Sequence, residues 1–265
     1  MTTIPVLLYH AVGDDRSGPL GDFTCSVRSF RDQMAWVADQ GYTTINVGEL
    51  TRVLTGAVPA PSKPLVITFD DGLADFWDNA LPVLRAHGYA STMFVTTAGM
   101  WDRRPRGLAG RPTMSREQVS HLPAGGVEVG SHGHEHPQLD LVRRNRVVHE
   151  LHTSKDLLEQ VVQREVPSFA YPHGYSTRRI RRLVAEAGYS SACAVRNEVS
   201  HLYDDRFALA RVMLTGDQSV PFLQHALHEG GLRQAREPDR ARSRLWRWAR
   251  AVRTRGRPLV QVADL

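Results

Sequence analysis

One local pattern recurs along this chain and fixes what it can fold into. Gln33 to Gln40 ends at Gly41-Tyr42 and runs into Thr43-Thr44-Ile45. Leu81 to His87 ends at Gly88-Tyr89 before Ser91 to Val95, and Arg179 to Ala187 ends at Gly188-Tyr189 before Ser190 to Val195. Each copy reads as a helix closed by a glycine in the left-handed conformation, followed by a short strand. A fourth copy lacks the tyrosine: Ser115 to Leu122, Gly125-Gly126, then Val127-Glu128-Val129. Helix-to-strand units joined by short loops predict parallel strands linked by right-handed crossovers. The expected fold class is α/β, a (β/α) barrel with fewer than eight full units.

Polar residues fall where such a barrel needs them. The apolar run Ile4 to Tyr9 ends at His10, Leu65 to Phe69 ends at Asp70 and Asp71, Val127 to Gly130 leads to His132, and Ser168 to Tyr171 ends at His173. Each run delivers ionisable groups at its C-terminal end, the face on which barrel enzymes build their sites. Phe207 to Leu214 reads as a late strand and Val220 to Leu227 as a closing helix.

Asp70, Asp71, His132 and His136 carry the chemistry. A buried strand ending in two carboxylates and Gly72 turns both toward one mouth, and His132 and His136, with three residues between them on a Gly- and Pro-bounded loop, can chelate. One carboxylate with two imidazoles suits a borderline divalent metal such as zinc, and leaves the second carboxylate to act as a base. Read alone, Asp-Asp-Gly is equally a turn with capping potential, and His132, His134 and His136 could form a solvated metal-scavenging tract. The strands that lead into both stretches favour the built site. His134, between the ligand candidates, is expected to point away.

At these residues the chain resembles the polysaccharide deacetylases, carbohydrate esterase family 4, whose shared domain is the NodB homology domain. Thr68-Phe69-Asp70-Asp71-Gly72 is identical to the family's first motif. His132 to His136 matches its His-x-x-x-His motif with Gly133 where serine or threonine is commoner, and Phe169-Ala170-Tyr171-Pro172-His173-Gly174 resembles its third. The resemblance runs from about Ile4 to Leu227. It implies a distorted (β/α) barrel of the NodB homology type and one divalent metal held by Asp71, His132 and His136. Zinc comes first, with Co²⁺, Ni²⁺ or Fe²⁺ as alternatives. It implies Asp70 as the base, and the third-motif residues Tyr171, Pro172, His173 and Gly174 at the substrate and oxyanion position, with the backbone N–H of His173 as donor.

Two departures from the family pattern stand out. Many members carry arginine in the third motif to orient the catalytic aspartate, where this chain has Ala170, so nothing in the motifs orients Asp70. Many end in a Leu-x-His strand whose histidine protonates the leaving amine, whereas Arg211-Val212-Met213-Leu214-Thr215 has none, and Leu223-Gln224-His225 falls in the expected closing helix. Pro5 to His10 is similar to the opening segment of the poly-N-acetylglucosamine deacetylase branch, which implies His10 as the acid.

Charge divides the chain into residues 1–230, the barrel, and 231–265, an arginine-rich tail. Leu232 to Leu265 carries ten arginines against three acids, a net +7 in a chain of net +5, so the remainder is nearly neutral and no nucleic-acid-reading core is expected. Leu245, Trp248, Ala249 and Val252 follow helical spacing among those arginines, a stripe suited to an anionic membrane or an acidic partner. Cys25 and Cys193 are expected to be buried thiols rather than a disulfide. No stretch reads as a secretory signal, so the expected location is cytoplasmic, with peripheral membrane attachment through the tail. The expected function is metal-dependent removal of N-acetyl groups from an N-acetylated amino sugar. The alternatives are hydrolysis of a small amide or imide on the same fold, or non-catalytic carbohydrate binding.

Overall fold

The computed structural model describes residues 3–102, 107–195, 200–201, 205–216 and 218–228 of the 265-residue chain. Its parallel sheet comprises β1 (Val6–Tyr9), β2 (Thr43–Ile45), β3 (Pro64–Phe69), β4 (Ser91–Val95), β5 (Val127–Ser131), β6 (Ser168–Ala170), β7 (Ser191–Cys193) and β8 (Val212–Met213). The order is β7-β6-β5-β4-β3-β1-β8. β2 pairs with the N-terminal half of β3, placing Ile45 opposite Val66, while β4 takes the C-terminal end, with Phe69 opposite Met93.

Helices α1 (Val27–Asp39), α2 (Val47–Leu54), α3 (Leu81–Ala86), α4 (Arg116–His121), α5 (Arg144–Val162), α6 (Arg178–Glu186) and α7 (Val220–His228) are interleaved with the strands. The repeat predicted this: Gly41, Gly88 and Gly188 end α1, α3 and α6 at φ 67°, 66° and 83°, values a β-carbon disfavours. Starts are capped by side chains, as where Asn46 accepts from Glu49 N while Glu49 accepts from Asn46 N, two otherwise unmet donors satisfied together. α5 had no such punctuation to announce it, since its C-terminal cap is Gln163 at φ 52° rather than a glycine.

The expected single late strand, Phe207 to Leu214, is divided in two by what it must do. Leu209 N donates to Ala192 O at 2.9 Å and Ala194 N to Leu209 O at 2.8 Å, so 206–210 follows β7, whereas the next residues form β8 and pair with β1. One stretch of chain touches both edges of the sheet and curls it into the distorted (β/α) barrel. α7 closes the fold, and its helical course removes His225 from any late strand.

Alternation along the strands separates two apolar regions. Val6, Val66, Phe94, Ala170, Cys193 and Leu209 fill the barrel, while Leu7, Ile67, Phe69 and Val129 face the helices. Cys25 and Cys193 are free and buried. Among the described residues no helix is long and apolar enough to cross a membrane. The tail, 231–265, lies outside the described residues.

Candidate metal centre and catalytic site

The period of β3 explains how two adjacent carboxylates serve one mouth. Val66 and Thr68 point into the barrel and Asp70 continues their row, while Asp71, which would face the helices, is brought round by a backbone turned to φ 76°. Gly72 follows at φ 77°. Aspartate tolerates the left-handed region better than most residues, but a built surrounding is still needed to hold it there.

Three donor atoms converge beside Asp70. Asp71 Oδ1 lies 3.5 Å from His132 Nε2 and 3.4 Å from His136 Nε2, and the two Nε2 atoms are 3.1 Å apart. Ligands about 2.0–2.1 Å from a tetrahedral ion sit roughly 3.3–3.4 Å from one another, so this triangle fits a divalent metal without rearrangement. His132 Nδ1 donates to Ala170 O at 2.9 Å; a carbonyl can only accept, which places the proton on Nδ1 and the lone pair of Nε2 in the site. Removal from water holds both imidazoles neutral. His132 is lowered to about 4, with Asp70 opposing the shift in part, and His136 to about 3, with neighbouring His173 adding to the effect.

Asp70 is held differently. Burial would raise its pKa, yet the Arg211 charge and hydrogen bonds, together with His132, bring it down to about 2. Arg211 Nη1 and Nη2 each donate at 2.7 Å to Oδ1 and Oδ2 of Asp70, and Nε donates to Ala194 O at 3.1 Å. Its guanidinium lies over the Phe94 ring, in the same inner cluster as Ala170. Where the third motif has Ala170, an arginine from the segment just before β8 meets Asp70. The motifs gave no sign of Arg211, though one signal was present: an arginine inside Ala208-Leu209-Ala210-Arg211-Val212, a run otherwise fit for a core.

The remaining predicted residues separate into those that join the site and those that do not. His10 follows β1, its ring 5.3 Å from that of Phe23, and it lies close enough for its charge to act on Asp70 and His136. Among the described residues no hydrogen-bond partner meets its buried Nδ1. The His173 ring packs 4.7 Å from His136 on a backbone at φ 59°. His134 turns aside as expected, its Nδ1 2.8 Å from Thr97 Oγ1 and its ring against His149.

Three other third-motif residues are engaged within the fold. The Tyr171 ring is buried in the helix-facing core and its hydroxyl donates to Phe207 O. The Gly174 N–H closes the turn onto Tyr171 O at 2.7 Å. Its glycine is required for space: at φ 73° a β-carbon would lie 2.6 Å from Val195 Cβ. Pro172 has no N–H to offer and is buried beside the histidine loop.

Comparison with known proteins bears on the family and the fold. The family described as polysaccharide deacetylase matches residues 57–192, half of the chain. YxkH of Bacillus subtilis (strain 168), which bears that family name, is 24% identical over 216 residues, 82% of this chain and 73% of that protein. The poly-beta-1,6-N-acetyl-D-glucosamine N-deacetylase of Escherichia coli (strain K12) is 32% identical over 82 residues, 30% of this chain and 12% of that protein. Among solved structures, the Streptococcus pyogenes deacetylase PplD in complex with acetate superposes with a TM-score of 0.76 at 21% identity, covering 86% of this chain and 99% of that one. IcaB from Ammonifex degensii does so at 0.72 and 23% identity, covering 85% and 97%. These two show the fold, and the family match spans the first two motifs and the third: the chain belongs to the polysaccharide deacetylase family.

Proposed function

We propose that this protein is a metal-dependent hydrolase that removes N-acetyl groups from an N-acetylated amino sugar. The observation that carries the reading is the Asp71, His132 and His136 triangle set beside a separate, ionised carboxylate, Asp70, whose outer edge is gripped by Arg211. A binding protein has no use for a free base beside a metal, which weighs against a purely carbohydrate-binding role. The partial match to a protein named for deacetylating poly-N-acetylglucosamine supports the choice of sugar class.

Asp71, His132 and His136 would hold a divalent ion, zinc by its donors, which would supply an acidified water, with a pKa of ~7, and polarisation of the acyl carbonyl. The chain's own residues do the rest. Asp70, ionised at neutral pH and fixed by its two bonds to Arg211, accepts the proton of the attacking water. His10 gives a proton to the amide nitrogen as the C–N bond breaks, so that one water and one acetamide yield acetate and a free amine. The backbone N–H of His173, a residue at φ 59°, serves as the oxyanion donor that the family resemblance implies.

The test is acetate release from monomeric, lipid-linked and polymeric N-acetylhexosamines by protein loaded with Zn²⁺, Co²⁺, Ni²⁺ or Fe²⁺, with chelated protein as the control. Metal-dependent acetate from at least one sugar is expected. A fully loaded protein that releases none, yet hydrolyses small cyclic amides or imides, would move the reaction to the other hydrolase class.

A further inference from the structure

α5 carries two polar side chains on the stripe that faces the core. Val147, Leu151, Leu158 and Val162 are buried, and Glu150 and Ser154 are buried among them. Ser154 Oγ meets Ser131 Oγ at 2.8 Å, which ties the helix to the end of β5. A buried carboxylate is costly unless donors meet its oxygens. The donors that meet Glu150 come from the loop between the two histidine ligands: Oε2 accepts from the backbone N–H of His134 at 2.7 Å and of Glu135 at 2.8 Å. Successive N–H groups converging on one oxygen form an anion-binding nest, here filled by the protein's own side chain.

The loop is gripped from both sides. Opposite Glu150, Thr97 N donates to Gly133 O at 3.1 Å and Ala98 N to His134 O at 2.9 Å. Gly133 stands at φ 80°, where a β-carbon would lie 3.3 Å from Glu150 Oε2, so the glycine that replaces the commoner serine or threonine leaves room for the carboxylate. Arg146 Nε lies 3.2 Å from Glu150 Oε1, and Arg146 also pairs with Glu135. His136, the ligand just beyond the nest, has φ 59°, a backbone that a non-glycine residue keeps only when its surroundings impose it.

We propose that Glu150 is a positioning residue of the metal centre, its carboxylate clamping the N–H groups of His134 and Glu135 so that His136 Nε2 is held against His132 and Asp71. The proposal rests on the metal-centre reading above and adds a residue to it. Glu150 touches neither metal nor substrate; it acts through the loop.

Two readouts test it, on the full chain. The first is amide hydrogen exchange at 134–135 in metal-stripped protein; the second is Zn²⁺ affinity by titration. Glu150→Ala should speed exchange at those two amides at least ~10-fold and weaken Zn²⁺ binding ~10- to 100-fold. Glu150→Gln, whose amide oxygen can still accept both bonds, should fall between it and wild type, and decides the matter if the alanine variant does not fold. Leu158→Ala, a cavity on the same helix away from the loop, should lower Tm and leave both readouts unchanged. Wild-type exchange in both Glu150 variants would overturn the clamp whatever the metal result. Equal weakening of Zn²⁺ by Leu158→Ala would overturn it too, by showing general loosening. A wild-type chain that binds no Zn²⁺ would instead overturn the metal-centre reading.

Discussion

Arg211 meets Asp70 with both terminal nitrogens, each 2.7 Å from a separate carboxylate oxygen, and both side chains are buried. A forked, charge-assisted pair of this kind fixes the plane of the carboxylate as well as its charge. The Oδ2 that Arg211 holds lies 3.8 Å from His132 Nε2, so the fork sets Asp70 beside the candidate ligands.

Removing one partner strands the other in a dry site. Arg211→Met is expected to destabilise the protein by about 3–5 kcal/mol, and Arg211→Met combined with Asp70→Asn should recover part of that loss. Urea unfolding of the two single variants and the double variant measures the coupling. Arg211→Lys keeps the charge without the fork, and should lower kcat by on the order of 10²-fold through misplacement of the base. Additive single-variant losses would show that the two residues do not act as a pair.

Asp70 and His136 should have separable phenotypes. Asp70→Asn removes the base and leaves the ligand triangle, so turnover should vanish with about one metal ion retained per chain. His136→Ala removes a ligand and should lose most of the metal. Elemental analysis alongside acetate release checks both, and equal metal in wild type and His136→Ala would dismiss this triangle as the site.

His10→Ala should lower kcat ~10²- to 10⁴-fold with metal content unchanged, the signature of a proton donor needed in the transition state and not in binding. An effect below about threefold would return His10 to a packing role against Phe23.

Stability should fall as the pH rises from about 4.5 to about 7 because of Glu128. Removal from water raises its carboxyl to about 7, despite hydrogen bonds from Ser168 Oγ at 2.6 Å and Gly48 N at 2.7 Å that favour the charged form. In that window the folded chain holds a proton that the unfolded chain has released, so unfolding becomes easier with each increment of pH. Denaturant titrations of wild type and Glu128→Gln across the window check this. The variant should show a flatter profile, and an identical slope would exclude Glu128 as the source.

The sequence was most legible where a single residue type solves a local problem. Glycine at three helix ends marked the repeat, and the repeat implied parallel strands. The ligand triangle was legible because its members end strands or share one short loop. Arg211 and Glu150 were not, for a common reason: each meets its partner through tertiary contact, Arg211 across 141 positions, and local periodicity records only that a charge occupies a core position. Ala170 had left a question about what orients Asp70, and no local pattern could say from which segment the answer would come. Tyr171 is the opposite case, since matching a motif located the residue without telling which face of the strand its ring would take.

The segment that joins both edges of the sheet has a consequence for the order in which this protein comes into being. A nascent chain that has left the ribosome through His173 already holds the base, the three ligands and His10. Among what it still lacks are residues 206–213, and with them both the last pairing of β1 and the counter-charge of Asp70. Joining the two sheet edges and giving the proposed base its counter-charge are thus one event, which waits for a late stretch of the domain with α7 still to follow, so a chain cut short before it has its candidate ligands in hand and Asp70 still unset.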